Sequence, residues 1–352
     1  MERMMKCSTL VLLFAVTLVS CTSEQVPFTV TQVPALELEG PYLGQEPPTD
    51  SPQVFAPGVV STSLYERDIA IMPDGRELYF SVVLGNHDRS AILVTRQDSD
   101  GRWSRPEVAG FSGRYRDLEP AITHDGSRLY FASRRPRVDG EVTTEDLDIW
   151  YVERQGDGWG PPQNPGPPVN TAESEFFPSI TQDGTLYFTR QFERVSSAIL
   201  RAPAVDGGFG DAERLDGGVN DGSTQFNGFV AQDESYLIFA AAGREDSVGR
   251  IDYYISFRNE GGSWRGPFNL GPRINTLSHL EYSPYVSPDG KQFFFMSTRT
   301  SHVSDLAEAT LDRAMIVDIA SSPGNGMPDI WWTGTGFIER IRAANPPAEP
   351  EP

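Results

Sequence analysis

Cysteine is almost missing from this chain. Cys7 and Cys21 are the only two in 352 residues, which excludes a disulfide framework and any thiolate metal cluster. Uninterrupted apolar runs of spanning length are missing as well, so no segment reads as a membrane-crossing helix. Basic side chains are scarce, with 29 Lys and Arg against 49 Asp and Glu and a formal charge of −20. Such a surface repels phosphate almost everywhere, which excludes a nucleic-acid binder. The four histidines, His87, His124, His279 and His302, are scattered and read as surface or turn residues. There is no Gly-x-Ser-x-Gly elbow, no His-Glu-x-x-His helix and no phosphate loop. Asp98-Ser99-Asp100-Gly101 lacks the remaining ligands of a calcium loop and falls where a hairpin turn is due.

What the chain does contain is turns and a core. It has 33 glycines and 28 prolines, a composition suited to many short strands. A hydrophobic fraction of 38% with 11% aromatic residues can bury a real core, so global disorder is excluded.

The first residues read as an address. Arg3 and Lys6 precede an apolar stretch from Leu10 to Leu18, as in a secretory signal covering residues 1–20. Leu18-Val19-Ser20-Cys21 resembles the lipobox of bacterial lipoproteins. That resemblance implies cleavage before Cys21, acylation of its thiol, and attachment to a membrane through lipid alone. Thr22 follows where the enteric sorting rule would place Asp for inner-membrane retention, which implies the outer membrane, facing the periplasm. Residues 21–40 read as a tether, and residues 343–352 as a Pro-rich disordered tail.

Between them one pattern is written five times: IAIMPDGRELYFS, AITHDGSRLYFAS, SITQDGTLYFTR, GFVAQDESYLIFA and YVSPDGKQFFFMS. The aligned turn aspartates are Asp74, Asp125, Asp183, Asp233 and Asp289. Each copy predicts a strand, a tight turn and a second strand apolar on both faces. Glycine follows the aspartate in four copies; Glu234 replaces it in the fourth, where a strained or longer turn is expected. Third strands begin at Ala91, Asp148, Ala198, Asp252 and Asp329, the last expected to run as ordered chain to Arg342. Trp103, Trp159, Phe209 and Trp264 mark a following turn, the three tryptophans reading as packing between repeats rather than as sugar platforms, and fourth strands begin near Pro106, Pro161, Ala212 and Pro267. The fifth repeat lacks a fourth strand. PQVFAPGVVST from Pro52 resembles PPQNPGPPVNT from Pro161 and PFNLGPRINT from Pro267, so the N-terminal segment can supply it. The expectation is an all-β, five-bladed β-propeller over residues 41–342, its last blade closed by the N-terminal strand.

The repeats resemble the WD40-like β-propeller repeat of TolB-type periplasmic proteins. The opening GPYLGQEPPTDSPQVFAPG and the ending DIWWTGTGFIERIR also resemble bacterial lipoproteins that carry such repeats. The regularity of the repeats, the lack of a catalytic signature and an acidic channel mouth point to a non-enzymatic module that binds an envelope protein, a small ligand or a glycan.

Two repeat positions can carry chemistry. Eight residues before the turn aspartate stand Glu66, Asp117, Glu175, Gln225 and Glu281; six before it stand Asp68, Glu119, Phe177, Asn227 and Ser283. With the first strand innermost, they would ring one mouth of a central channel and concentrate negative potential there. Such a ring can hold a divalent cation, a basic peptide or a sugar. The structural alternative pairs the acids with arginines that end the second strands, Asp117 with Arg134, Glu175 with Arg190 and Glu281 with Arg299. Glu66 and Asp68 have no repeat-matched arginine and stand out as unpaired carboxylates. An alternative function, a glycoside hydrolase, would draw its two carboxylates from Glu66, Asp68, Asp117 and Glu119.

Overall fold

The computed structural model describes residues 38–347, apart from 139, 141, 194–195, 278–279 and 302–309. The signal segment, Cys21, most of the tether, His279, His302 and the end of the tail lie outside the described residues.

The repeated pattern folds as all-β, propeller-like structure. Among the described residues the strands fall into five antiparallel quartets and one separate hairpin, Ala204–Val205 with Gly208–Phe209. The first comprises Tyr65–Ile71, Glu77–Leu84, Arg89–Arg96 and Glu107–Val108. The second comprises Asp117–Ile122, Arg128–Ser133, Asp148–Gln155 and Gly158–Trp159. The third comprises Ser174–Ile180, Leu186–Glu193, Ser196–Ala202 and Glu213–Arg214; the fourth, Thr224–Val230, Tyr236–Ala242, Asp252–Arg258 and Trp264–Asn269. A single parallel bridge, Ser197 to Thr224, joins these two into one sheet. The fifth takes Glu281–Val286, Gln292–Ser297 and Asp329–Gly334 and adds Gln53–Val54 from the N-terminal segment, with Gln53 opposite Trp332 and Val54 opposite Trp331. First strands of consecutive quartets lie side by side, and the first strand of the fifth lies beside that of the first.

Glu234 occupies its turn at φ 57°, in the left-handed region where the other four copies place glycine. Its carboxylate accepts from the Tyr187 hydroxyl at 2.6 Å, so a tertiary contact holds the strained residue.

One small device recurs on the loops that enter the first, third, fourth and fifth quartets. The side-chain amides of Asn170, Asn220 and Asn275 bind both the N–H and the C=O of Ile149, Ile199 and Tyr253 on the third strands. Ser61 does the same to Ile330, with its hydroxyl 3.0 Å from the carbonyl. The N-terminal segment thus makes in the fifth quartet the clasp that chain-continuous loops make in the second, third and fourth. It is held by packing as well. Phe55 lies fully buried with its ring 5.0 Å from both Phe294 and Trp332, in a core that also includes Leu43, Ile69, Leu78 and Ile330. Burying one such aromatic contributes roughly 1.5–3 kcal/mol.

The ending departs from the sequence expectation. The last strand stops at Gly334, and a helix, Gly336–Ala344, follows. Phe337, Ile338 and Ile341 recur at helical spacing and pack against the fifth quartet, Phe337 with its ring 5.2 Å from Phe293. A second short helix, Arg313–Ala320, is capped by the Asp312 carboxylate, which accepts from the Met315 amide.

Candidate functional site

The position eight before each turn aspartate opens the innermost strand, and its side chain turns back into its own quartet. Glu66, Asp117, Glu175, Gln225 and Glu281 are all buried, at 1% exposure or less, so they line no channel mouth. Each binds the loop that has just arrived. Glu66 accepts from the Thr62 amide and hydroxyl, Glu175 from the same two groups of Thr171, and Glu281 from the Thr276 hydroxyl. Gln225 accepts from the Gly222 amide at 3.0 Å. Asp117 accepts from the hydroxyls of Ser112 and Ser133, at 2.8 and 2.6 Å. Burial pushes Glu66 and Glu281 up to about 7.

The arginines sort by strand register. Glu175 lies directly opposite Arg190, whose Nε donates to it at 2.7 Å. Asp117 lies opposite Ser133, so the same face is reached next by Arg135, and the partner is Arg135, at 2.8 Å, rather than Arg134. Glu281 lies opposite Ser297 and draws Arg299, two residues on, to 4.0 Å.

The position six before the turn forms the axial ring. Asp68, Glu119, Phe177, Asn227 and Ser283 all have positive φ, from 52° to 67°. Each falls at an interruption of the register between first and second strand, for example between Arg67 and Ile69. This is a β-bulge repeated around the molecule, and it turns the five residues toward one another. Arg67 enters the ring from the first quartet. Its Nε donates to Asp68 Oδ1 at 2.8 Å and its Nη2 to Glu119 Oε1 at 2.6 Å. Asp68 is therefore paired, by its own chain neighbour. Glu119 Oε2 accepts from the Phe177 amide at 2.7 Å, Asn227 Nδ2 donates to Ser283 Oγ at 3.3 Å, and the Ser283 hydroxyl donates to Asp68. Burial pushes Glu119 up to about 7, against the pull of Arg67.

The side of the ring nearer the strand starts is cationic and aromatic, not acidic. The Arg67 guanidinium lies 4.7 Å from the centre of the Tyr282 ring, and Tyr65 joins its hydroxyl to that of Tyr282 and stands edge-on to His87. Burial first, then Arg134, depress the Arg116 guanidinium nearby, while burial and then Arg67 depress His87. Toward the turns the axis opens into a cavity of about 60 Å³ lined by Ile69, Ile71, Ile122, Ile180, Phe229 and Tyr285.

A divalent cation fits this ring poorly. Among the described residues of the ring, Asp68 Oδ2 and Asn227 Oδ1 are the acceptors without a hydrogen-bond partner, whereas a hard cation takes six or more oxygen ligands. Among the described residues no three His, Cys, Asp or Glu side chains converge as a metal site.

Sequence reasoning missed Arg67 and Arg135, the residues that neutralise Asp68 and Asp117. The alternation Ser133-x-Arg135, repeated in Ser297-x-Arg299, was the available signal for the second. The bulge that brings Arg67 beside Asp68 has no signature in residue type.

No protein-family profile matches this chain, and no curated protein does. Among solved structures it is similar to TolB from Acinetobacter baumannii, at 15% identity and a TM-score of 0.42 over 78% of this chain; it spans only 55% of that protein's length. It is similar to a TolB of Agrobacterium tumefaciens, at 16% and 0.44, over 77% of this chain and 90% of that one. It is also similar to the arabinanase Arb43A of Bacillus subtilis, at 12% and 0.47, over 80% and 97%. Identities and overlaps this low carry no information on activity.

Proposed function

We propose that this chain is a closed five-bladed propeller, held at the bacterial outer membrane by lipid on Cys21 and facing the periplasm, that serves as a non-enzymatic module binding an envelope protein, a small ligand or a glycan. The observation that carries this reading is the state of the axial carboxylates. A glycoside hydrolase needs one protonated acid and one free carboxylate, about 5–10 Å apart, open to substrate. Here Asp68 and Glu119 share a single guanidinium, both are buried, and the second Glu119 oxygen is taken by the Phe177 amide. The acids two residues earlier on the same strands are buried in their own quartets. One feature favours the hydrolase alternative: Glu119, near 7, has the protonation behaviour of a general acid.

The deciding experiment is a screen of the purified full-length protein for reducing-sugar release from envelope and plant glycans. The binding module predicts none. Turnover that disappears in Glu119→Gln or Asp68→Asn, with the circular dichroism spectrum unchanged, would replace it with the hydrolase.

A further inference from the structure

Two of the seams between quartets are locked by one shared device. Between the first and second, Trp159 Nε1 donates to the Tyr79 hydroxyl at 2.8 Å, and Arg154 reaches across to Glu77 at 2.5 Å. Between the third and fourth, the Trp264 ring stands 6.4 Å from Tyr187, and Arg258 donates to the Tyr187 hydroxyl at 3.2 Å. The device is a tryptophan from the later quartet's outer turn plus an arginine from its third strand.

The seam between the second and third quartets has neither. The tryptophan is Phe209, whose smaller ring lies 6.3 Å from Tyr130. The arginine position is found by register. Arg154 stands two residues beyond Val152, which pairs with Leu129; Arg258 stands two beyond Ser256, which pairs with Leu237. In the third quartet Ala202 pairs with Leu186, and two residues beyond it is Ala204. With both locks absent, the seam opens into a groove of about 960 Å³, rimmed on one side by the extra hairpin Ala204–Val205 and Gly208–Phe209.

The groove's lining is aromatic and polar, and its Arg154 is neutralised by Glu77. Tyr130 and Tyr151 are cross-strand partners with ring centres 5.5 Å apart. Arg128 lies 5.0 Å from the centre of the Tyr151 ring and pairs with Glu153 at 2.8 Å, so their charges cancel. Asn164 adds its remaining N–H, the rest of its amide being held by Asp148, Gly166 and Asn170, and the turn carboxylates Asp125 and Asp183 also line the groove. Ring faces favour a flat apolar surface. Donors and acceptors side by side, without net positive charge, favour hydroxyls over phosphate or uronate, which the two aspartates would repel.

We infer that the groove between the second and third quartets is a binding site for a neutral oligosaccharide, with a sugar ring laid against Tyr151 and Phe209 and its hydroxyls bonded by Arg128, Glu153 and Asn164. The inference rests on the binding-module reading and names its ligand class. The departure from the repeat marks the groove: the two neighbouring seams of this chain carry the lock that it lacks.

The test is calorimetric titration of the full-length protein in detergent with neutral hexasaccharides of glucose, xylose, arabinose and N-acetylglucosamine, beside a polygalacturonate and a basic peptide. At least one neutral sugar binds. The double variant Ala204→Arg/Phe209→Trp, which places the lock's two side chains in the groove, weakens binding by about tenfold or more. Tyr151→Ala weakens it similarly, and serves if the double variant does not fold. No binding of any neutral sugar overturns the site, as does binding that both variants leave unchanged. Binding of polygalacturonate or peptide alone, lost in the variants, overturns the ligand class while leaving the module standing. A neutral sugar bound and then cleaved in a Glu119-dependent reaction leaves the groove standing and overturns the module.

Discussion

Arg67 of the first quartet and Glu119 of the second meet at 2.6 Å, both almost wholly buried, and the same guanidinium holds Asp68. One cation therefore serves two carboxylates on the axis. Removing it strands them in a low-dielectric site, which is more damaging than never having buried them. Arg67→Ala is expected to cost about 3–5 kcal/mol in urea unfolding. Adding Glu119→Gln and Asp68→Asn to it should recover part of the loss. Equal losses in the single and triple variants would mean that the ring's stability does not come from charge pairing.

The two arginines that follow the second strand of the second quartet make a matched comparison. Arg135 is buried, bonds Asp117 and Ser133, and lies 4.7 Å from the centre of the Phe131 ring. Arg134 is half-buried, and its backbone amide bonds the Arg116 carbonyl, a contact that survives side-chain truncation. Arg135→Ala should cost about 3–5 kcal/mol. Arg134→Ala should stay within about 0.5 kcal/mol. The reverse order in thermal melts would restore the pairing expected from sequence alone.

The N-terminal segment should behave as core, not as a leader. Phe55→Ala leaves a cavity between Phe294 and Trp332 and is expected to cost about 3–5 kcal/mol. Deleting residues 41–63 should go further, because it also removes the Ser61 clasp and bares the edge at Trp331 and Trp332. An unchanged melting curve for the deletion would contradict closure by this segment.

Stability should fall as pH rises across neutrality. Glu66, Glu119 and Glu281 are pushed up to about 7, and Asp329, buried and beside Glu66, to about 8. Above the ordinary carboxyl range the unfolded chain has released these protons while the folded chain retains them. Their contribution is complete below the unfolded value and is lost as pH climbs through 7 to 8. Each tenfold difference in acidity between the folded and unfolded chain is worth about 1.4 kcal/mol. Asp125, Asp183 and Asp289 are lowered, mainly by bonds within their turns, so their contribution disappears only in stronger acid. The melting temperature should be higher near about pH 5.5 than near about pH 8.5, and Asp329→Asn should flatten the slope. A profile rising through that interval would exclude protonated acids in the core.

Cys21→Ser should release the protein from membranes into the soluble periplasmic fraction. Retention of the unlipidated variant would rule out anchoring through that residue.

The sequence carried the repeat because a tight turn has a chemical signature. Asp74-Gly75, Asp125-Gly126, Asp183-Gly184 and Asp289-Gly290 write it plainly, and strand pairing follows from it. The likeness of the Pro52, Pro161 and Pro267 segments was legible for a similar reason, since in each the clasp is a small polar residue just before a threonine, Ser61-Thr62, Asn170-Thr171 and Asn275-Thr276. The axial ring was not legible. Asp68, Glu119, Phe177, Asn227 and Ser283 share a backbone conformation and no chemistry, and a bulge imposed by five neighbours leaves no common residue type. The acids of the earlier position misled because repetition in sequence cannot distinguish side chains facing an axis from those facing a loop.

Gln53 and Val54 find their partners in Trp331 and Trp332 only after nearly the whole chain has been synthesised. On the ribosome this strand emerges early and has no mate until the final one appears. Pairing so distant in sequence makes completion of the fold slow and leaves an apolar edge open in the interim. In the proposed periplasmic setting the chain would cross its first membrane still unfinished, the state that passage through a narrow pore demands.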